Sequence, residues 1–262
     1  MRKTKLFGAL AVVLIVTVMV LPRVVSADQY FKIETHSDAY SLMGKEQPAA
    51  TDTMVTWIGK NALRADNGDT ASILILNDDE KFVILNHTKK TFVELPFDIV
   101  GNVEMLIDMQ SESKEQAEQM KQAMEGMMSM MQVNMEVIPT EEKAEKAGYD
   151  CQKYTVKMKM GQLTSEEEIW ATEEIDTDYS MYRKSRNIMQ LALPGMKEAL
   201  VELQKIKGFP VMTMTTTDMM GTPIKRNYML LEFKDTDPPR GAYQVPEGYT
   251  EGDPALLGPM GR

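Results

Sequence analysis

The stretch that most restricts the fold is residues 106–132, LIDMQSESKEQAEQMKQAMEGMMSMMQ, with no proline and one glycine, Gly126. At 100° per residue Leu106, Met109, Ala117, Met120, Met124, Met127, Met128 and Met131 share one stripe. Lys114, Glu115, Glu118, Lys121 and Glu125 lie off it. One long amphipathic helix is therefore expected between Ile99 and Met135. Its apolar face is mostly methionine, an unbranched thioether that adapts to surfaces of irregular shape. The sequence on both sides has strand character, so this helix is an insertion between two sheet-forming halves.

Before it, Tyr30–Thr35 alternates, with Phe31 and Ile33 on one face and Lys32 and Glu34 on the other. Residues 41–51 read as a polar loop, and 51–66 as two short strands hinged at Gly59-Lys60-Asn61. Ser72–Leu76, Lys81–Leu85 and Thr91–Leu95 are strands joined by turns at 77–80 and 86–89. After it, 133–139 reads as a strand and 140–147 as a short helix with Thr140 as N-cap, ended by Gly148. Tyr154–Met160 and Glu166–Thr172 are strands. A second helical segment is expected over 178–207, restarted at Pro194-Gly195 and burying Met196, Leu200, Val201 and Leu203. Val211–Asp218 and Ile224–Lys234 form a hairpin. This order predicts an α+β fold, mainly antiparallel β. The sheet is expected to have about ten strands, curled into a half-barrel, with two helical segments on its concave side.

The first residues set a location. Arg2, Lys3 and Lys5 precede an apolar run from Leu6 to Leu21, and Val25 and Ala27 suit a cleavage site. This is the layout of a secretory signal peptide over residues 1–27, and the run is short for a membrane span, which needs about 20 residues. An exported protein, periplasmic or extracellular, with no stable membrane insertion is the expectation. A single domain over 28–249 and a disordered Gly- and Pro-rich tail over 250–262 follow. The formal net charge of −10 becomes more negative when the basic leader is removed, which disfavours nucleic acid and anionic lipid surfaces as partners. The single cysteine, Cys151, has no internal disulfide partner and reads as a buried, inert thiol.

Neither histidine, His36 or His87, has a partner at a recognisable spacing. There is no nucleophile elbow, P-loop, dinucleotide motif or zinc-type Cys/His cluster, so no enzyme activity and no cofactor are expected. The anomaly is methionine, 24 residues of 262. Core packing accounts for a stripe at this spacing. A lid over an apolar ligand is a second reading, and a Cu(I) site of several thioethers a third. Trp57 and Trp170 sit in strands and read as core; under the lid reading they join Met120, Met124, Met127, Met128 and Met131 in the apolar lining.

Several local patterns carry a resemblance. They are Trp57 with Arg64 and Asp66; Lys90-Thr91-Phe92 leading to Leu95-Pro96; Gly148-Tyr149-Asp150-Cys151 with Tyr154; and Glu168-Ile169-Trp170-Ala171-Thr172. Lys207-Gly208-Phe209-Pro210 and Tyr243-x-Val245-Pro246-x-Gly248-Tyr249 complete the set. Together they resemble a family of exported bacterial proteins known as a domain of unknown function, grouped with the LolA-like lipoprotein carriers. That resemblance implies a half-open barrel plugged by helices, with a lipid or lipoprotein as possible partner. The expected function is thus a non-enzymatic, extracytoplasmic binding protein that holds a lipid or acyl chain between the sheet and the Met-rich lid. Soft-metal binding, a structural or partner-binding exported domain with no small ligand, and an unrecognised hydrolase are the alternatives.

Overall fold

In the computed structural model, residues 28–42, 44–97, 111, 113–130, 132–177, 195–219 and 221–252 are described. The expected leader, the first part of each expected helix, Met131 and residues 253–262 lie outside them. The first half supplies β1 (Gln29–Ser37), β2 (Tyr40–Leu42), β3 (Lys45–Gln47), β4 (Ala50–Ile58), β5 (Ala62–Asn67), β6 (Ala71–Leu76), β7 (Lys81–Asn86) and β8 (Thr91–Pro96). Helix α1 (Lys114–Met130) follows, then β9 (Val133–Lys146), β10 (Tyr149–Met160) and β11 (Leu163–Thr172). The chain closes with α2 (Met196–Leu203), β12 (Phe209–Met219), β13 (Thr222–Asp235) and β14 (Thr250–Glu251).

Twelve strands make one open sheet in the order β14-β8-β7-β6-β5-β4-β1-β13-β12-β11-β10-β9, and β2–β3 is a separate hairpin. Every pairing in the large sheet is antiparallel except β14 with β8. Two meanders therefore meet side by side, joined where β1 pairs with β13, from Gln29↔Asp235 to Ser37↔Arg226. Phe31 alternates onto the face where the halves share their core. It stacks on Phe209 at 4.7 Å and lies 5.1 Å from Phe233, among Ile58, Leu63, Trp170 and Leu230. Val137, Tyr154, Val156 and Ile169 form a second cluster, and Leu74, Val83 and Leu85 a third.

The expected half-barrel with two covering helices is corrected by this arrangement. The described chain is 61% strand against 10% helix, and the sheet is neither closed nor strongly curled. Two local expectations are corrected with it. Residues 140–146 are not a helix but the end of β9, and Ala147 lies in the turn that follows, so helix-favouring residues (EEKAEK) are overridden by pairing with β10. Pro139 is tolerated because β9 is the sheet's last strand, where a missing N–H breaks no ladder bond, and the register shifts beside it at Gln152/Tyr154. Thr140 is no N-cap; its hydroxyl donates to Lys153 O. Residues 41–51 likewise form β2–β3 and the start of β4 rather than a loop.

Helices provide little cover. Among the described residues the one helix laid along a strand is α2, on β9. Within it Ala199 is buried, whereas Val201 and Leu203, expected inside, are 57% and 37% exposed. Glu202 explains its attachment: its Oε2 accepts the N–H of Val137, a donor on the sheet's open edge, at 2.9 Å. Helix α1 forms over Lys114–Met130, within the predicted helical stretch, but is not joined to the sheet as a covering plug.

Candidate functional site

What covers the first meander is the end of the chain. After β13, residues 236–252 return as a strap across the face of β4–β8 that carries Trp57, Arg64, Ser72 and Leu74. Thr236 N–H donates to Asp28 O at 2.8 Å, and the Tyr243 hydroxyl donates to Asp28 Oδ2 at 2.5 Å. Val245 and Tyr249 pack on Leu74, Val83 and Leu85. At the far end Thr250 N–H and Gly252 N–H donate to Lys90 O and Phe92 O, at 3.0 and 2.7 Å. Burial raises the pKa of Tyr243, and the hydrogen bond and charge of Asp28 add to it.

Beneath the strap lies a polar chain whose proton positions follow from the donor inventory. Asp66 Oδ1 accepts from Arg64 Nε at 2.7 Å and from the Ser72 hydroxyl at 2.5 Å. Having given its one proton to the carboxylate, Ser72 Oγ can only accept from its other partners, His87 Nε2 at 2.5 Å and Arg64 Nη2 at 3.2 Å. His87 Nε2 thus carries a proton, and its Nδ1 is hydrogen-bonded to the Tyr249 hydroxyl at 2.5 Å. Arg64 Nη1 donates to Ala242 O at 2.9 Å, tying the same network to the strap.

A serine, a histidine and an aspartate in contact suggest a hydrolase, and the order of the bonds argues against it. A nucleophilic serine gives its proton to histidine, which the carboxylate orients. Here the serine lies between the two, gives its proton to Asp66 and is 1% exposed. The network is a clamp on the strap. Sequence reading missed it because Asp66, Ser72, His87 and Tyr249 are brought together only by the β5–β6–β7 register and the returning strap.

Between strap and sheet is a cavity of about 480 Å³, lined by Trp57, Arg64 and Asp66 from the strands and by residues including Arg240, Val245 and Pro246 from the strap. That size lies within the range of small-molecule sites. Trp57 stands edge-on to Tyr30 at 4.8 Å. The Arg64 side chain is 17% exposed and held by three hydrogen bonds. A shallower groove of about 560 Å³ crosses the other meander; half-buried Met135 and Met158 and buried Ser165 line it, with the exposed charged side chains of Glu136, Lys157, Lys159 and Glu166.

The other expected lining residues are not gathered at this cavity. Trp170 is buried in the shared core, with the Lys146 ammonium 4.7 Å from its ring centroid and Lys153 at 5.7 Å. Met120 is half-buried on α1, and positions 124, 127 and 128 follow it along the same helix. Met131 lies outside the described residues, as do the side chains of Met124, Met127 and Met128. Cys151 is buried and free, and burial pushes its thiol pKa up. Among the described residues no three His, Cys, Asp or Glu side chains are grouped to hold a metal.

The fold and the clamp together define a mostly β protein built on one open twelve-stranded sheet, with its C-terminal strap bonded over the first meander. Residues 131–249 match the family model described as a domain of unknown function (DUF4412). The match spans the second meander and most of the strap, while β1–β8 and α1 lie before it. This agrees with the domain-of-unknown-function part of the resemblance. No curated protein matches the chain.

Proposed function

We propose that this is an exported, non-catalytic binding protein for a hydrophobic ligand, and that the ligand sits in the strap cavity rather than under a Met-rich lid. One observation carries the reading. Trp57, Arg64 and Asp66 lie more than 170 residues from the strap, yet the two segments enclose a space of ligand size. Its walls combine an aromatic ring and the apolar side chains of Pro239, Val245 and Pro246 with a few fixed polar groups, the usual make-up of a small-molecule site. The apolar wall favours a ligand whose body is hydrocarbon, such as an acyl chain. The leader at residues 1–27 supports export. The experiment is native mass spectrometry of the protein purified from its own host, compared with a Val245→Glu variant. A co-purified lipid-sized species lost in the variant supports the reading; a ligand-free protein that also fails to bind added acyl probes refutes it.

A further inference from the structure

We infer that the strap cavity recognises a carboxylate head group, with Arg240 as the residue that selects it; this rests on the binding reading above and specifies its ligand. The argument starts from Arg64. A guanidinium has five N–H donors, and among the described residues Arg64 uses three, on Asp66, Ala242 O and Ser72. Two donors remain on a side chain that is mostly buried and lines the cavity. Donors on a mostly buried side chain call for an acceptor oxygen on the ligand's head group.

Charge decides which residue discriminates. Asp66 already neutralises Arg64 at 2.7 Å, so Arg64 orients a polar head without preferring an anion. The remaining charged groups of the lining are Arg240 and Glu247. Both are exposed, and among the described residues neither forms an ion pair. Arg240 is therefore available to attract an anionic head, and Glu247 opposes it. Trp57, Pro239, Val245 and Pro246 supply the surface for the attached hydrocarbon. The chemistry shared by the possible ligands is an aliphatic carboxylate; its source is either a fatty acid or a small free acid.

The test titrates the full mature chain with decanoate, decanol and butyrate by calorimetry. A Trp170→Phe background makes Trp57 the only tryptophan, so its fluorescence reports the site. Decanoate is expected to bind roughly tenfold more tightly than decanol, a difference of about 1.4 kcal/mol. Arg240→Gln should abolish that preference without changing stability, and Glu247→Gln should increase it. Equal binding of decanoate and decanol, or a preference unchanged in Arg240→Gln, overturns the head-group inference and leaves the apolar-ligand reading standing. Failure of both to bind refutes the binding reading itself. Butyrate matching decanoate supports the carboxylate site but overturns the fatty acid as its source.

Discussion

The clamp beneath the strap makes a quantitative prediction for Ser72→Ala. Ser72 is 1% exposed, and its hydroxyl holds Asp66, His87 and Arg64 at once. Losing its bond to a carboxylate costs about 1.5–3 kcal/mol, and losing the bond from a neutral ring about 0.5–1.5 kcal/mol. Arg64 keeps its bonds to Asp66 and Ala242, and His87 can move its proton to Nδ1 and donate to Tyr249, which limits the damage. The expected total is about 3 kcal/mol. Tyr249→Phe removes one neutral bond, costing about 1 kcal/mol. The double variant should cost less than the sum by roughly 1 kcal/mol, because the two side chains share one imidazole. Urea unfolding followed by circular dichroism gives these values, provided the slope is unchanged. Hydrogen exchange locates the loss: the Thr250 and Gly252 amides should open first, since they fasten the strap to β8. A Ser72→Ala cost below about 0.5 kcal/mol, with those amides unaffected, would refute the clamp.

Three further outcomes are expected. A Cβ on Gly208 (φ +83°) would lie 2.0 Å from Thr172 O, whereas one on Gly148 (φ +84°) meets nothing within 4 Å. Gly208→Ala should therefore prevent folding, while Gly148→Ala costs about 1–2 kcal/mol from backbone strain alone; soluble yield and urea midpoints compare them. Burial raises the pKa of Glu167, so its ionised form opposes folding at neutral pH and protonation relieves the penalty as pH falls. Glu167→Gln should raise the urea midpoint at pH 7, with the gain shrinking as pH falls through the raised pKa and gone below about pH 4. The phenols of Tyr243 and Tyr30 are raised, chiefly by burial, so they stay protonated in the folded chain after the unfolded chain ionises near pH 10. Stability should fall as pH rises above that point, and Tyr243→Phe, though less stable at pH 8, should lose less between pH 8 and pH 10.5.

Much of this protein follows from its sequence alone. The alternation of Tyr30–Thr35, the Gly59-Lys60-Asn61 hinge, the turns at 77–80 and 86–89, and the 211–218/224–234 hairpin each rest on neighbours in the chain. All recur in the fold as β1, the β4–β5 turn, β6–β8 and β12–β13. The periodicity of α1 is local in the same way. Cys151 was legible too, since a lone cysteine in a strand has little other role. Where tertiary pairing competes with local preference, pairing wins. Residues 140–146 have helix-forming side chains and a plausible cap, yet β10 offers them a ladder and they extend β9. The extent of the sheet, its openness and the standing of α1 depend on which edges meet and which are covered. Those are relations among β1, β13, α2 and the strap that no local window contains. The candidate site is the extreme case. Trp57, Arg64 and Asp66 could be singled out by type, as could Val245, Pro246 and Tyr249. Only the return of the chain over β4–β8 brings the first five around one cavity and links Tyr249 through His87 and Ser72 to Asp66.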